Sequence, residues 1–154
     1  MIRKTYLFED GSWNDDLDFT LDSKNTLVIC FGCSDFSLIK KAFDDVTNGY
    51  KDSLIVGCST AGEIYADELY EESLSIAVIK FEKSHIKYEE AVLNCSEESF
   101  DVGTQLSQKL YDEKLKGIFV LSDGLNVNGS ALTKGINSSL ENEETIVTGG
   151  LAGD

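Results

Sequence analysis

Short unbroken runs of apolar residues recur along the chain and predict buried β-strands. Each run is rich in β-branched or aromatic residues, which is typical of strands buried on both faces, as in parallel sheets. The runs are TLVICF (26–31), SLIVGC (53–58), LSIAVIKF (74–81), KGIFVLSDG (116–124) and TIVTGG (145–150). A further segment, HIKYEEAV (85–92), alternates at its start and follows a short connection. It predicts a strand that forms an antiparallel hairpin with the 74–81 strand.

Three segments between these runs carry apolar residues at helical spacing. The first follows the 26–31 strand, and its predicted apolar face consists of Phe36, Ile39, Phe43, Val46 and Tyr50. Ser34 or Asp35 can cap its start. The second lies within residues 96–113, with a predicted face of Phe100, Gly103, Leu106 and Leu110. The third lies within residues 128–140, where Asn128 or Ser130 can act as the cap.

The order of these elements predicts an α/β domain. We expect a largely parallel sheet flanked by helices, built from two similar βαβ units with an antiparallel hairpin between them. The segments 27–63 and 118–154 share the order strand, turn, helix, strand, and end in GCSTAGE and GGLAGD. Since order and spacing match as well as the glycines, an internal duplication is favoured. Residues 10–25 are polar and predict no element.

Composition and charge narrow the classes of function. The 154 residues fit one domain, and the formal net charge of −15 argues against nucleic acid or an anionic lipid surface as a partner. No apolar run is long enough for membrane insertion, and the N-terminus lacks the apolar core of a secretion signal. Four cysteines without the spacing of a disulfide framework predict a reducing, cytoplasmic compartment.

Small and polar residues follow several of the predicted strands. If the strands are parallel, their carboxyl ends gather at one edge of the sheet, where α/β proteins bind ligands. Backbone amides there favour an anionic group and carboxylates a cationic one, so a zwitterion such as an amino acid would use both. The predicted ligand-binding residues are Cys58, Ser59, Thr60, Gly62, Glu63, Ser122, Asp123, Asn126, Gly153 and Asp154. We expect Ser59, Thr60, Glu63 and Asp123 to line one cleft.

The motif VGCSTAGEI (56–64) resembles the signature of the FIST N-terminal domain, and FVLSDGLNVNGSALTKGI and TIVTGGLAGD are similar to later blocks of the same family. The resemblance covers residues 25–154, while residues 1–25 match poorly. It implies one FIST N-terminal-like sensory domain across residues 1–154, belonging to a bacterial signal-transduction protein. It also implies a small-molecule ligand, no cofactor and no catalysis. The family pattern implies a C-terminal FIST-type half and an output module in the full-length protein. We expect the isolated domain to pair with itself through the face that this half would cover.

Other chemistries remain as alternatives. Cys30 and Cys33 have the C-x-x-C spacing of a redox pair between a strand and a helix, so a dithiol enzyme is the main alternative. Against it, Cys30 falls within an apolar run and the chain has no proline. A hydrolase using Ser59 or Cys58 would need a histidine base, and the only histidine is His85, on a predicted strand. One C-x-x-C and one histidine make a poor metal site, and His85 would be the only imidazole for haem.

Overall fold

The computed structural model describes residues 1–140 and 144–153, and it has a mixed α/β architecture. The chain forms two compact units. Unit 1 comprises Met1–Ile86 together with Gly153, and unit 2 comprises Lys87–Ala152. No helix within the described residues is long and apolar enough to cross a bilayer.

Unit 1 is built on a five-stranded mixed sheet. Its elements are β1 (Ile2–Glu9), β2 (Ser12–Trp13), β3 (Thr26–Gly32), α1 (Phe36–Gly49), β4 (Leu54–Ser59), β5 (Glu63–Tyr65), β6 (Glu68–Tyr70) and β7 (Leu74–Lys80). The strand order is β2-β1-β7-β3-β4, while β5 and β6 form a separate two-stranded sheet. β3 and β4 run parallel on either side of α1 in the chain, and the other three pairs of the large sheet are antiparallel. The predicted strand, helix, strand order is therefore present, in a sheet that is more antiparallel than expected.

The hairpin expected between residues 74–81 and 85–92 is wrong. β7 pairs with β1 along one edge and with β3 along the other, so neither edge is left for a further strand. Residues 81–95 contain no strand. The antiparallel hairpin of this part of the chain is β5–β6, in which Tyr65 pairs with Glu68 across a two-residue turn.

The core of unit 1 lies where α1 packs against the sheet. Asp35 caps α1 by accepting a hydrogen bond from the Ser37 amide at 3.0 Å, as predicted. Ile39, Ala42 and Val46 of the helix are buried. They belong to a cluster that includes Tyr6, Phe8, Val28, Cys30, Tyr50, Ile76 and Val78. Phe36 was predicted on the buried face but is 48% exposed, with its ring edge-on to Phe43.

Unit 2 contains a parallel strand pair and two helices. Its elements are α2 (Ser99–Leu110), β8 (Gly117–Ser122), α3 (Gly129–Ser138) and β9 (Ile146–Leu151). β8 and β9 are parallel and flank α3 in the chain, so the second strand, helix, strand order is also present. Asn128 caps α3 by accepting from the Ala131 amide at 3.1 Å. Ile118, Leu132 and Ile136 form its buried core.

The predicted apolar face of α2 differs from the face that is buried. The buried residues are Ser99, Gly103 and Ser107, whereas Phe100 is 43% exposed. A Cβ atom on Gly103 would lie 2.4 Å from the Leu132 carbonyl oxygen, and one on Gly135 would lie 2.1 Å from the Phe100 carbonyl oxygen. α2 and α3 therefore approach so closely that small residues must face each other, and Phe100 is left partly exposed, while Leu110 of the predicted face does pack against the core of unit 2.

Candidate functional site

The turn after β4 is held against the ends of two neighbouring strands. Ser59 pairs with Gly32 at the end of the parallel register, and the next amide, Thr60 N–H, donates to the Gly32 carbonyl at 2.9 Å. On the other side of β3, the Cys33 amide donates to the Ser73 carbonyl at 3.0 Å. The ends of β3 and β4 and the start of β7 thus meet at one edge of the sheet. For β3 and β4 this is expected, because the carboxyl ends of neighbouring parallel strands lie together.

Glu63 is the buried centre of this edge. The residue is 1% exposed. One carboxylate oxygen accepts from Thr60 Oγ1 at 2.8 Å, and the other accepts from the Ser73 amide at 3.2 Å and from Ser73 Oγ at 2.7 Å. Hydrogen bonds to a carboxylate are stronger than those between neutral groups. Glu63 therefore joins the β4 turn to the start of β7, and both of its oxygens are already engaged within unit 1.

The side chains that precede Glu63 are the more accessible groups of the motif. Cys58, Ser59 and Thr60 are each partly exposed, on or just after β4 at the edge of the five-stranded sheet. Gly62 lies where a Cβ atom would come within 2.9 Å of Leu69 Cδ1, so it permits close packing of the hairpin. The hydroxyl and backbone groups of Ser59 and Thr60 can therefore meet a ligand more readily than the Glu63 carboxylate.

In unit 2, Asp123 and Asn126 lie together in the turn after β8. One Asp123 oxygen accepts from the Leu125 amide at 2.6 Å and from the Asn126 amide at 3.2 Å, while the other accepts from Asn126 Nδ2 at 2.6 Å. These bonds lower the pKa of Asp123, with the Asn126 side chain as the largest cause. Asp123 thus shapes its own turn, an arrangement typical of aspartate at such positions. Both residues remain exposed.

Ser122 ends β8 and carries an unusual hydroxyl group. Its Oγ is buried and, among the residues that the structure describes, has no hydrogen-bond partner. Its carbonyl accepts from the Ala152 amide at 2.7 Å, which ties the ends of β8 and β9 together. Buried polar atoms in proteins are nearly always paired, so an unpaired one at a predicted site residue needs an explanation.

The predicted site residues fall into two groups by unit. Residues 58–63 and Gly153 belong to unit 1, and Ser122, Asp123 and Asn126 belong to unit 2. Asp154 lies outside the described residues. The single cleft expected for Ser59, Thr60, Glu63 and Asp123 stays a prediction. Sequence reasoning missed Ser73 because nothing in the sequence marks a serine before a strand as the partner of a carboxylate ten positions earlier.

The thiols give no support to the dithiol alternative. None of the four cysteines forms a disulfide bond. Cys30 faces the core, and burial raises the pKa of its thiol to about 12. The pKa of Cys33 is also raised, first by desolvation and then by the charges of Glu63 and Asp35. A reactive redox pair needs a lowered thiol pKa, which is the opposite direction.

Metal and imidazole chemistry find no support in the described part of the chain. It holds no group of three or more His, Cys, Asp or Glu side chains arranged to bind a metal ion. His85 is exposed within residues 81–95, which form no strand. Two shallow depressions lie on unit 2, lined mainly by polar residues of α3 and α2, and neither contains a predicted ligand-binding residue.

Comparison with known protein families supports the family resemblance that the strand-end motifs carry. The FIST N domain profile matches residues 26–154, which is most of the chain. The chain belongs to the FIST N domain family. FIST domains are sensory domains of signal-transduction proteins. No protein of curated function and no solved structure matches the chain.

Residues 1–25 lie outside the FIST match, but part of them belongs to the core of unit 1. β1 lies between β2 and β7 in the sheet, and its Tyr6, Leu7 and Phe8 side chains are buried. The N-terminal segment therefore has a structural role in this FIST N domain.

Proposed function

We propose that this FIST N domain is a non-catalytic sensory domain that binds a small polar molecule such as an amino acid. The observation that carries the proposal is the Ser122 hydroxyl, which is buried and unpaired among the described residues. A buried hydroxyl without a partner costs free energy, and a ligand that hydrogen-bonds to it would recover that cost. Ser122 ends a parallel strand, which is where α/β proteins bind ligands.

The remaining groups suit a zwitterionic ligand better than an anion. Within unit 1, Ser59 and Thr60 supply hydroxyls at the end of β4; within unit 2, Asn126 supplies an amide after β8. The net charge of −15 favours a ligand with an ammonium group over one that carries only negative charge. The pKa values of the Cys30 and Cys33 thiols are raised and the described residues hold no metal cluster, so binding explains the site more simply than a reaction does.

We further propose the cellular context that FIST membership suggests. The domain acts in the bacterial cytoplasm, and a C-terminal FIST-type half and an output module pass the signal on in the full-length protein. The isolated domain is expected to form a homodimer. Sedimentation of residues 1–154 in moderate salt tests the homodimer, and a monomer would contradict it.

Ligand binding can be tested by thermal denaturation with single amino acids. A ligand at about one hundred times its Kd should stabilise the domain by about 2.7 kcal/mol. Ser59→Ala and Ser122→Ala should each reduce this stabilisation, while Ser84→Ala, on an exposed segment outside the site, should leave it unchanged. Recovery of the ligand unaltered by NMR would agree with a non-catalytic role. If no amino acid raises Tm, or if both site variants respond like the parent, the proposal fails.

A further inference from the structure

The β5–β6 hairpin displays two large aliphatic side chains to solvent. Ile64 and Leu69 pair directly across the hairpin and therefore lie on the same face. They are 73% and 67% exposed. Single exposed apolar residues are common on protein surfaces, but a directly paired set on one face forms a continuous apolar patch.

The opposite face of the hairpin is fixed to unit 1. Glu63 is buried and accepts three hydrogen bonds from Thr60 and Ser73. Tyr65 accepts a hydrogen bond at its hydroxyl from Asn14 Nδ2 at 2.8 Å. Ser75 Oγ donates to the Ile64 carbonyl at 3.2 Å. Because these bonds hold the inner face, Ile64 and Leu69 are presented on a fixed support.

Exposed carboxylates flank the aliphatic pair in the chain. Asp67, Glu71 and Glu72 are all exposed, and no lysine or arginine occurs between Lys51 and Lys80. On the other face of the hairpin, the Tyr70 hydroxyl donates to Glu68 at 2.7 Å. Its pKa is raised to about 12, first by the bond to Glu68, and the charges of Glu68, Glu9 and Asp67 contribute in the same direction. The patch is thus apolar at its centre and negative at its rim.

We infer that the β5–β6 hairpin is a docking surface for a basic amphipathic segment of a partner protein. Aliphatic side chains of that segment cover Ile64 and Leu69, and its lysines or arginines meet Asp67, Glu71 and Glu72. An apolar centre with a charged rim is the usual plan of a protein interface. A second copy of this chain is a poorer occupant because it brings the same acidic rim and the same net charge of −15. This inference does not depend on the ligand proposed above.

The probe is a fluorescent synthetic peptide made only of leucine and lysine, with leucines at helical spacing. Its binding to the whole chain is followed by fluorescence anisotropy at low and at physiological salt. We expect saturable binding that weakens as salt rises, because the rim charges are exposed. The Ile64→Thr/Leu69→Thr double variant, which keeps strand-forming residues, should weaken binding about tenfold, since two aliphatic contacts are lost. Glu71→Lys should also weaken it.

A matched control separates the patch from general attraction between acidic protein and basic peptide. Leu38 is an exposed leucine on α1, 44% accessible, and Lys40 and Lys41 follow it. Leu38→Gln should bind the probe like the parent, and a peptide of leucine and glutamate should not bind. If Glu71→Lys weakens binding but the double variant does not, the contact is electrostatic only and the inference is overturned. A concentration-dependent dimer that the double variant abolishes would also overturn it, because the occupant would then be a second copy. Circular dichroism confirms that each variant is folded.

Discussion

Two serines of unit 2 whose hydroxyl groups are buried should respond to alanine substitution in opposite directions. Ser122 Oγ is buried without a partner among the described residues. Ser107 is 1% exposed, and its Oγ donates to the Ile136 carbonyl at 2.9 Å and accepts from Ser139 Oγ at 2.9 Å. An unpaired buried hydroxyl costs about 1–3 kcal/mol, whereas a paired one contributes about 1 kcal/mol and leaves its partners unsatisfied when removed.

Ser122→Ala should therefore stabilise the ligand-free domain by about 1 kcal/mol. Ser107→Ala should destabilise it by about 1–2 kcal/mol. For a chain of this size, 1 kcal/mol corresponds to about 2–4 °C in Tm, so the two variants should lie on either side of the parent. Thermal denaturation in ligand-free buffer and urea midpoints measure the difference.

Whether Ser122→Ala raises or lowers the stability of the ligand-free domain is the test of this prediction. If Ser122→Ala lowers stability as much as Ser107→Ala does, the Ser122 hydroxyl is paired in the free protein. It would then offer nothing extra to a ligand, and the observation that carries the proposed function would be lost. If Ser107→Ala has no effect, the helix contact between α2 and α3 does not depend on its serine bonds.

Three further predictions concern unit 1. Glu63→Gln should destabilise the domain by about 2–3 kcal/mol, because the amide would present a donor to groups that now donate to a carboxylate. An unchanged urea midpoint would contradict the hydrogen bonds described for Glu63. Ala66 has a φ of 55° in the hairpin turn, so Ala66→Gly should stabilise the domain by up to about 1 kcal/mol. Ala61→Gly, at a position where φ is not positive, should destabilise the domain. Equal changes in Tm for the two variants would refute this reasoning. With a thiol reagent at pH 8, exposed Cys95 should react first, and buried Cys30, whose pKa is raised to about 12, should react last. Early modification of Cys30 would show that it is not in the core.

The positions of β3, β4, β7, β8 and β9 were predictable because their residues are largely apolar, but the expected burial on both faces is wrong for β9, where five of six residues are exposed. These strands all begin and end within a few residues of the predicted runs. β1 was missed because its first four residues, Ile2–Thr5, are exposed and include Arg3 and Lys4, so only Tyr6–Phe8 carry an apolar signal. The presence of β1 in turn occupies an edge of β7, which is why a local prediction placed the hairpin incorrectly.

The strand-end turn at the candidate site was predictable from the sequence, but the direction of its side chains was not. The motif GCSTAGE indicates a strand end with a tight turn, and the structure has one there. A sequence cannot distinguish a carboxylate that points to a ligand from one that points inward, because that depends on a partner elsewhere in the chain. For Glu63 the partner is Ser73, whose amide and hydroxyl both reach it. The same limit applied to α2, where close approach of a second helix decided which face was buried.

The two strand, helix, strand segments agree in structure more closely than their sequence motifs suggested. After β4, the Thr60 amide bonds to the last carbonyl of β3, and after β9, the Ala152 amide bonds to the last carbonyl of β8. Three residues before each of these amides is a glycine, Gly57 or Gly149. A Cβ atom there would lie 2.1 Å from the Cys30 carbonyl oxygen or 1.9 Å from the Val120 carbonyl oxygen.

This correspondence shifts the alignment of the two segments by one residue. The sequence motifs align the Ala-Gly pair of GCSTAGE with that of GGLAGD, which matches Ala61 with Ala152. Hydrogen bonds and glycine positions instead match Thr60 with Ala152. Both glycines face a carbonyl of the neighbouring strand, so physical packing alone can require glycine at this point of a parallel pair. The shared architecture is therefore explained by backbone approach, and the matching Ala-Gly-carboxylate endings are weaker evidence for duplication than their letters imply.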